Sequence, residues 1–161
     1  MVFSSDNGFQ CVILLSEAQH TIKNEISMHH PNETGGILIG KYDDNLKVAI
    51  VYLATRSSFD SIHKAASFQR SSTDILSNIN VAKELYSSSL HYLGEWHSHP
   101  NNNFNPSQTD LKQMQSFAKI KQLGISAPLL LIVGGSHSRG LEWQFSLHRF
   151  KKPTIYLSTL D

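Results

Sequence analysis

From Pro128 to Val133 the chain is apolar without a break. Alternation is what a half-exposed strand shows, and a short uninterrupted run is what a strand covered on both faces shows. Such a strand belongs in the middle of a sheet with material packed on each side. The chain therefore has to supply both the neighbouring strands and the elements that cover them.

The rest of the sequence supplies them. Val12 to Leu15 reads as a short buried strand, and Ser16 with Gln19 predicts a capping box that opens a helix running to about His30. Glu33-Thr-Gly-Gly-Ile-Leu-Ile-Gly-Lys-Tyr gives a strand entered through a glycine pair. Asp43-Asp44-Asn45 then turns the chain into a returning strand from Lys47 to Thr55. Arg56 to Ser67 reads as a loop. Ser71 and Asp74 form a second capping box, before a helix through Leu76, Ile79, Val81, Ala82, Leu85 and Tyr86. His91 to His99 is strand-like, Pro100 to Pro106 is a polar loop, and a third helix is expected from Ser107 to about Gln122. Arg139 to Arg149 alternates through Leu141, Trp143, Phe145 and Leu147 as a last strand. Strands interleaved with three helices predict an α/β or α+β layered sheet, and no repeat or linker divides it, so residues 1–161 are expected to form one domain.

Composition narrows the function. A formal net charge of +1 over 161 residues offers no electrostatic hold on nucleic acid or an anionic membrane. The one basic stretch, Arg149-Phe-Lys-Lys152, reads as a solvated strand end. Cys11 is the only cysteine, so no intrachain disulfide forms and no cysteine-built zinc site is available. The same count excludes the nucleobase deaminases, whose signature needs a Pro-Cys-x-x-Cys. Cys11 lies in Cys-Val-Ile-Leu-Leu and reads as a buried structural thiol. The N-terminal residues lack the basic and apolar regions of a secretory signal, and no segment is apolar for long enough to span a bilayer. A cytoplasmic protein is expected.

The chemistry is concentrated in Gly94-Glu-Trp-His-Ser-His-Pro and the residues up to Asp110. His97 and His99 are two apart, so on a strand both rings leave the same face, roughly 6–7 Å apart at the backbone. Rings so placed can converge on one zinc, and Pro100 ends the strand beside them. Ser107 and Asp110, three apart at the start of the third helix, share one helical face. Asp110 can complete a three-ligand site with a fourth position left open, as a catalytic zinc needs. Each piece alone has a plainer reading. A His-x-His pair is more often surface or hydrogen-bonded histidine, and Ser107-Gln-Thr-Asp110 is also an ordinary capping box. Capping of that kind uses backbone amides and is expected to leave the Asp110 carboxylate available. The conjunction of pair, proline, loop length, serine and aspartate in one order argues against the plainer readings.

That constellation, His97-Ser-His99-Pro100 with Ser107-x-x-Asp110 following, resembles the JAMM motif of the JAB/MPN metalloprotease family. Glu33, opening Glu-Thr-Gly-Gly-Ile-Leu-Ile-Gly, is similar to the family's glutamate before its second strand. The resemblance implies a mixed, curved sheet flanked by helices, of cytidine-deaminase-like topology. It also implies one zinc per chain on His97, His99 and Asp110, with Glu33 as general base and Ser107 as a donor to the developing oxyanion. The implied reaction is hydrolysis of a peptide or isopeptide bond at the C-terminus of ubiquitin or a ubiquitin-like protein. The compact Gly-Glu-Trp-His-Ser-His-Pro form is similar to the stand-alone JAB peptidases of bacteria. Some of these sit in CBASS-type anti-phage operons beside activating and conjugating enzymes, and there they release proteins conjugated to, for example, a nucleotide second-messenger synthase.

Glu95 shares the strand face of the two histidines, and is read as a group behind the ligands or as a surface charge. Trp96 points the other way, into the core. The remaining histidines lack ligand spacing; His29-His30 ends a helix and His63 lies in a loop. Phe68 and Arg70 read as structural, with contact to a substrate tail as the alternative. Two other functions remain open: a non-catalytic MPN-type scaffold, and a hydrolase acting on small molecules or carrier-protein tails.

Overall fold

The computed structural model describes residues 1–8, 10–45, 47–71, 75–100, 104–119, 124–136 and 140–160. In chain order the elements are β1 (Val2–Ser4), β2 (Cys11–Leu14), α1 (Ser16–His29), β3 (Gly35–Tyr42), β4 (Val48–Ala54), β5 (Ile62–Lys64), β6 (Ser67–Gln69), α2 (Ile75–Leu85), β7 (His91–His99), α3 (Gln108–Phe117), β8 (Leu129–Ser136), β9 (Gly140–Leu147) and β10 (Ile155–Thr159). Strands β5 and β6 form a separate small hairpin. The others form one mixed sheet in the order β1-β10-β9-β8-β7-β3-β4-β2, closed into a barrel by the pairing of β1 with β2. The pairs β2–β4 and β7–β8 are parallel, and the remaining pairs are antiparallel.

The unbroken apolar run lies on β8, between β7 and β9. Leu129, Leu131 and Val133 point into the barrel core, while Leu130 and Ile132 point outward and are covered by Met114 of α3. Both faces of the strand are thus filled, which is why it has no polar alternate positions. On the far side, α1 buries Ala18, Ile22, Glu25 and Ile26 on one helical face and packs over β4. Trp96 is fully buried in the barrel, as its place opposite the histidines predicts, and its indole N–H donates to the Thr55 carbonyl.

Several expectations need correction. Helix α1 is not opened by a capping box: Ser16 is already helical, Leu15 is the N-cap without a side-chain bond, and the Gln19 amide donates to the Leu14 carbonyl. The 56–67 loop is interrupted by β5 and flows into β6, three residues each, too short for alternation to announce them. Strand β9 is not the last, since β10 follows and β1 precedes everything else. Their only fully buried side chains are Phe3 and Leu157, too few to set up a period. Helix α3 ends at Phe117; Gln122, Asp74, Arg139, His137 and the asparagines at 101–103 lie outside the described residues. The basic stretch at 149–152 is an exposed turn, with Lys119 and Lys151 over the Phe150 ring. Cys11 is half-buried, and burial raises its thiol pKa. Among the described residues no helix is long and apolar enough to cross a membrane.

Candidate metal centre and active site

Strand β7 carries the two histidines between β3 and β8, with Gly35 and Ile132 opposite His97 and Gly134 opposite His99. The glycine pair entering β3 has a steric reason. A Cβ on Gly35 would lie 2.4 Å from the Trp96 carbonyl and 2.9 Å from both the His97 ring and Phe68; one on Gly36 would lie 2.3 Å from the Thr55 carbonyl. The main chain of the preceding residue is also fastened to β7, because the Thr34 N–H donates to Ser98 Oγ at 2.9 Å and the Ser98 N–H donates to the Thr34 carbonyl at 2.8 Å. These bonds, between Thr34 and Ser98, which are 64 residues apart along the chain, hold Glu33 beside the histidines.

Helix α3 brings the remaining groups. Met114 packs on Leu130 and Ile132, a burial that contributes about 1.5–3 kcal/mol and fixes the helix against β8. Asp110, one turn earlier, is thereby held over His97 and His99. The capping box is present: the Ser107 hydroxyl donates to Asp110 Oδ2 at 2.6 Å, the Ser107 N–H donates to the same oxygen at 2.8 Å, and the Asp110 N–H donates back to Ser107 Oγ. Capping therefore does engage the carboxylate, contrary to expectation, but it takes one oxygen only. Oδ1 stands 3.5 Å from His97 Nδ1, and His99 Nε2 lies 3.9 Å from Oδ2. Burial by itself would raise the Asp110 carboxyl, yet hydrogen bonds from His97 and Ser107 outweigh it and hold the group well below the usual carboxylate range.

The donor set fits zinc. Ligand bonds of about 2.0–2.1 Å in a tetrahedron put neighbouring ligand atoms about 3.3 Å apart. The two nitrogen–oxygen separations, 3.5 and 3.9 Å, are slightly wider than that. The side chains are gathered but not drawn in: among the described residues no three His, Cys, Asp or Glu groups form a closed ligand cluster as they stand. An ionised carboxylate with two imidazole nitrogens at 3.5 and 3.9 Å is the donor chemistry that zinc takes.

Glu33, His97, His99, Ser107 and Asp110 all line one cavity of about 470 Å³, with Phe68 on its wall. Every residue singled out for the site is thus brought to the same place. The Glu33 carboxylate has no hydrogen-bond donor among the described residues. Burial lifts its pKa to about 6, with His97 opposing the shift and Asp110 reinforcing it. Glu95 has a different setting and is not a surface charge. It is 1% exposed, accepts a two-point bond from Arg70 at 2.9 and 3.0 Å, and accepts the Tyr92 hydroxyl at 2.8 Å. With its oxygens so filled it supports the strand from behind.

The sequence did not single out the histidines beside the site. His29 and His63 stack face to face, their ring centres 3.8 Å apart, and His63 leans against Phe68, which stands edge-on to His97. No spacing rule could have joined a helix end to a three-residue strand across this interval. Only the folding of the β5–β6 hairpin over the end of α1 does so.

Over residues 16–146 the chain matches the family described as prokaryotic homologs of the JAB domain. It is 30% identical over 135 residues to a CD-NTase/cGAS isopeptidase of Enterobacter hormaechei subsp. hoffmannii (strain UCI 50), a match covering 84% of this chain and 73% of that protein. Its fold is similar to the solution structure of a protein from Desulfitobacterium hafniense, with a TM-score of 0.63 and 17% identity over 92% of this chain and 91% of the other.

Proposed function

This chain belongs to the prokaryotic JAB-domain family, and on that footing we propose that it is a zinc-dependent isopeptidase of one domain, acting in the cytoplasm on proteins conjugated through their C-terminus. The observation that carries the reading is the convergence of Glu33, His97, His99, Ser107 and Asp110 on one cavity. His97, His99 and Asp110 would hold the metal. Bound there, zinc supplies Lewis acidity, acidifying a water toward a pKa of about 7 and polarising a carbonyl.

The protein's own groups do the rest. Glu33, half-buried and with no donor to its carboxylate among the described residues, accepts a proton from the attacking water and delivers it to the leaving amine nitrogen as the carbon–nitrogen bond breaks. A pKa lifted toward neutrality suits a group that must both take and return a proton. The Ser107 hydroxyl, turning from Asp110 Oδ2, donates to the oxyanion that develops on the scissile carbonyl, worth about 2.7–4 kcal/mol for one such donor. Asp110 keeps its charge throughout and fixes the orientation of His97. Phe68 closes the side of the cavity next to His97.

The similar Enterobacter protein is named an isopeptidase for CD-NTase/cGAS. The matching substrate here is a nucleotide second-messenger synthase, or another protein, joined by a ubiquitin-like mechanism, with an operon-encoded activating or conjugating enzyme as partner. The test is intact-mass analysis of CD-NTase conjugates and tail fusions, incubated with zinc-loaded wild type, with chelator-treated protein and with Asp110→Asn. Cleavage at the carbonyl of the tail's last residue by the zinc-loaded wild type alone is the expected result. Conjugates left whole by a protein that hydrolyses short peptides or thiocarboxylates would move the reading to a carrier-tail hydrolase. Stoichiometric zinc with no hydrolysis of either would make it a scaffold.

A further inference from the structure

Glu33 presents an unusual positioning problem. A general base has to be held to within a fraction of an ångström of the proton it takes, and misplacement by about 1 Å can cost about 100-fold in rate. Most positioned carboxylates are aimed by donors on their own oxygens, as Glu95 is by Arg70 and Tyr92. The Glu33 carboxylate has none among the described residues, so its aim depends on where its main chain is held.

That main chain is gripped on both sides by β5. The Glu33 N–H donates to the Lys64 carbonyl at 2.8 Å. The Glu33 carbonyl lies 3.0 Å from His63 Nδ1. A carbonyl can only accept, so Nδ1 carries the hydrogen in this contact. His63 is in turn fixed from two directions. One face of its ring stacks on His29 at 3.8 Å and 8° between planes. His29 Nε2 faces Glu25 Oε1 at 3.2 Å, and that oxygen also accepts from the Ser57 N–H and from the Thr34 hydroxyl. Glu25 is 2% exposed, so this anchor sits in the interior. On its other flank His63 meets Phe68, its partner across the β5–β6 ladder. The end of the hairpin is tied down by the Arg70–Glu95 pair, two residues before His97 on β7. A continuous path of contacts therefore runs from buried Glu25 through two stacked imidazoles to the carbonyl of Glu33.

We propose that His63 is a positioning residue for Glu33, acting through the Nδ1–H bond to the Glu33 carbonyl, with the His29 stack holding the ring in register. The inference rests on the reading of Glu33 as the base.

Two substitutions separate the hydrogen bond from the packing. His63→Phe keeps a ring for the stack and removes the donor. His63→Asn removes the ring and places an amide N–H near the position of Nδ1. Two readouts are taken for each: kcat and KM on a cleavable conjugate, and hydrogen exchange at the Glu33 amide by NMR in the metal-free protein. For His63→Phe the expected result is kcat lower by about 10- to 100-fold, with KM and zinc stoichiometry unchanged. Exchange at the Glu33 amide should be at least about 10-fold faster, as a local opening of that bond predicts. His63→Asn should restore kcat to within about 3-fold of wild type and return the exchange rate with it. The reverse ranking, with Asn impaired and Phe normal, would show that His63 acts by packing alone and overturn the proposal. Faster exchange in His63→Phe with kcat unchanged would overturn it as well. If the wild type cleaves nothing, the isopeptidase reading fails, and the exchange measurement still decides whether His63 holds Glu33.

Discussion

Glu95 and Glu33 stand on either side of the histidine pair, and their surroundings are opposite. Glu95 is 1% exposed and both its carboxylate oxygens accept hydrogen bonds, from the Arg70 fork and the Tyr92 hydroxyl. Glu33 is only half-buried, and its carboxylate faces an open cavity with no donor among the described residues. If Glu33 is the base, as proposed, burial does not separate a supporting carboxylate from a reactive one here, because the more buried Glu95 would be the inert one. Unfilled acceptor capacity does. A carboxylate with bound donors has its charge committed to structure, whereas one desolvated without donors has its pKa lifted toward the range where proton transfer is useful.

The sharpest way to break the comparison is to neutralise each group without changing its shape. Glu33→Gln should lower kcat by about 100- to 10,000-fold with little change in unfolding free energy. Glu95→Gln should keep kcat within a few-fold, because the amide oxygen can still accept from Arg70 Nη2 and Tyr92, and only the bond from Arg70 Nε is lost. If steady-state kinetics rank the two the other way, the base is Glu95 and the assignment of Glu33 fails.

Removing the partner of the filled group should hurt stability instead. Arg70→Met leaves the Glu95 charge buried and unpaired, a loss of about 3–5 kcal/mol by urea unfolding. Adding Glu95→Gln to Arg70→Met should recover part of it, since the double variant no longer buries a bare charge. A single variant as stable as wild type would mean that the Arg70 pair contributes little to holding the hairpin.

Acid should act on the two kinds of group at different places. The base form of Glu33 disappears as pH falls through about 6, and a cation bound beside it can only move that point lower. The acid limb of kcat/KM is therefore expected at or below about pH 6. His148 is a filled group far from the site. It is 2% exposed, lies against Ser146 and Thr154, and has its pKa lowered by burial from 6.5 to about 4. The unfolded chain binds a proton at this residue between those values and the folded chain does not, so its contribution to stability is full above pH 6.5 and falls as pH drops toward 4. The loss comes to about 3 kcal/mol. It should be read as the difference in slope between wild type and His148→Gln in unfolding experiments across that window. Glu33 works in the opposite sense, because its raised pKa makes the folded state the stronger proton binder. Equal slopes would mean that His148 is hydrated in the native protein.

Much of this architecture was legible beforehand because its signals are local. The unbroken run at 128–133, the glycine pair at 35–36 and the two-residue spacing of His97 and His99 each report on a strand by its own period or by its own steric need. Asp110 follows Ser107 by three residues within one turn of helix, so their pairing is also a local matter. The short strands were not legible. β1 and β10 bury one side chain fully apiece, and β5 and β6 are three residues each, so no period develops that sequence could show.

Residue type, order and spacing thus determined the ligand candidates, the central strand and the family to which the chain belongs. Tertiary structure alone decided that the curved sheet closes into a barrel, that Glu95 is committed to Arg70, and that His29 and His63 meet behind Glu33. The physical reason is range. Periodicity and capping are set by neighbours within a turn or a pleat, while the partner that fills or leaves empty a carboxylate arrives from a distant segment, and only packing brings it there.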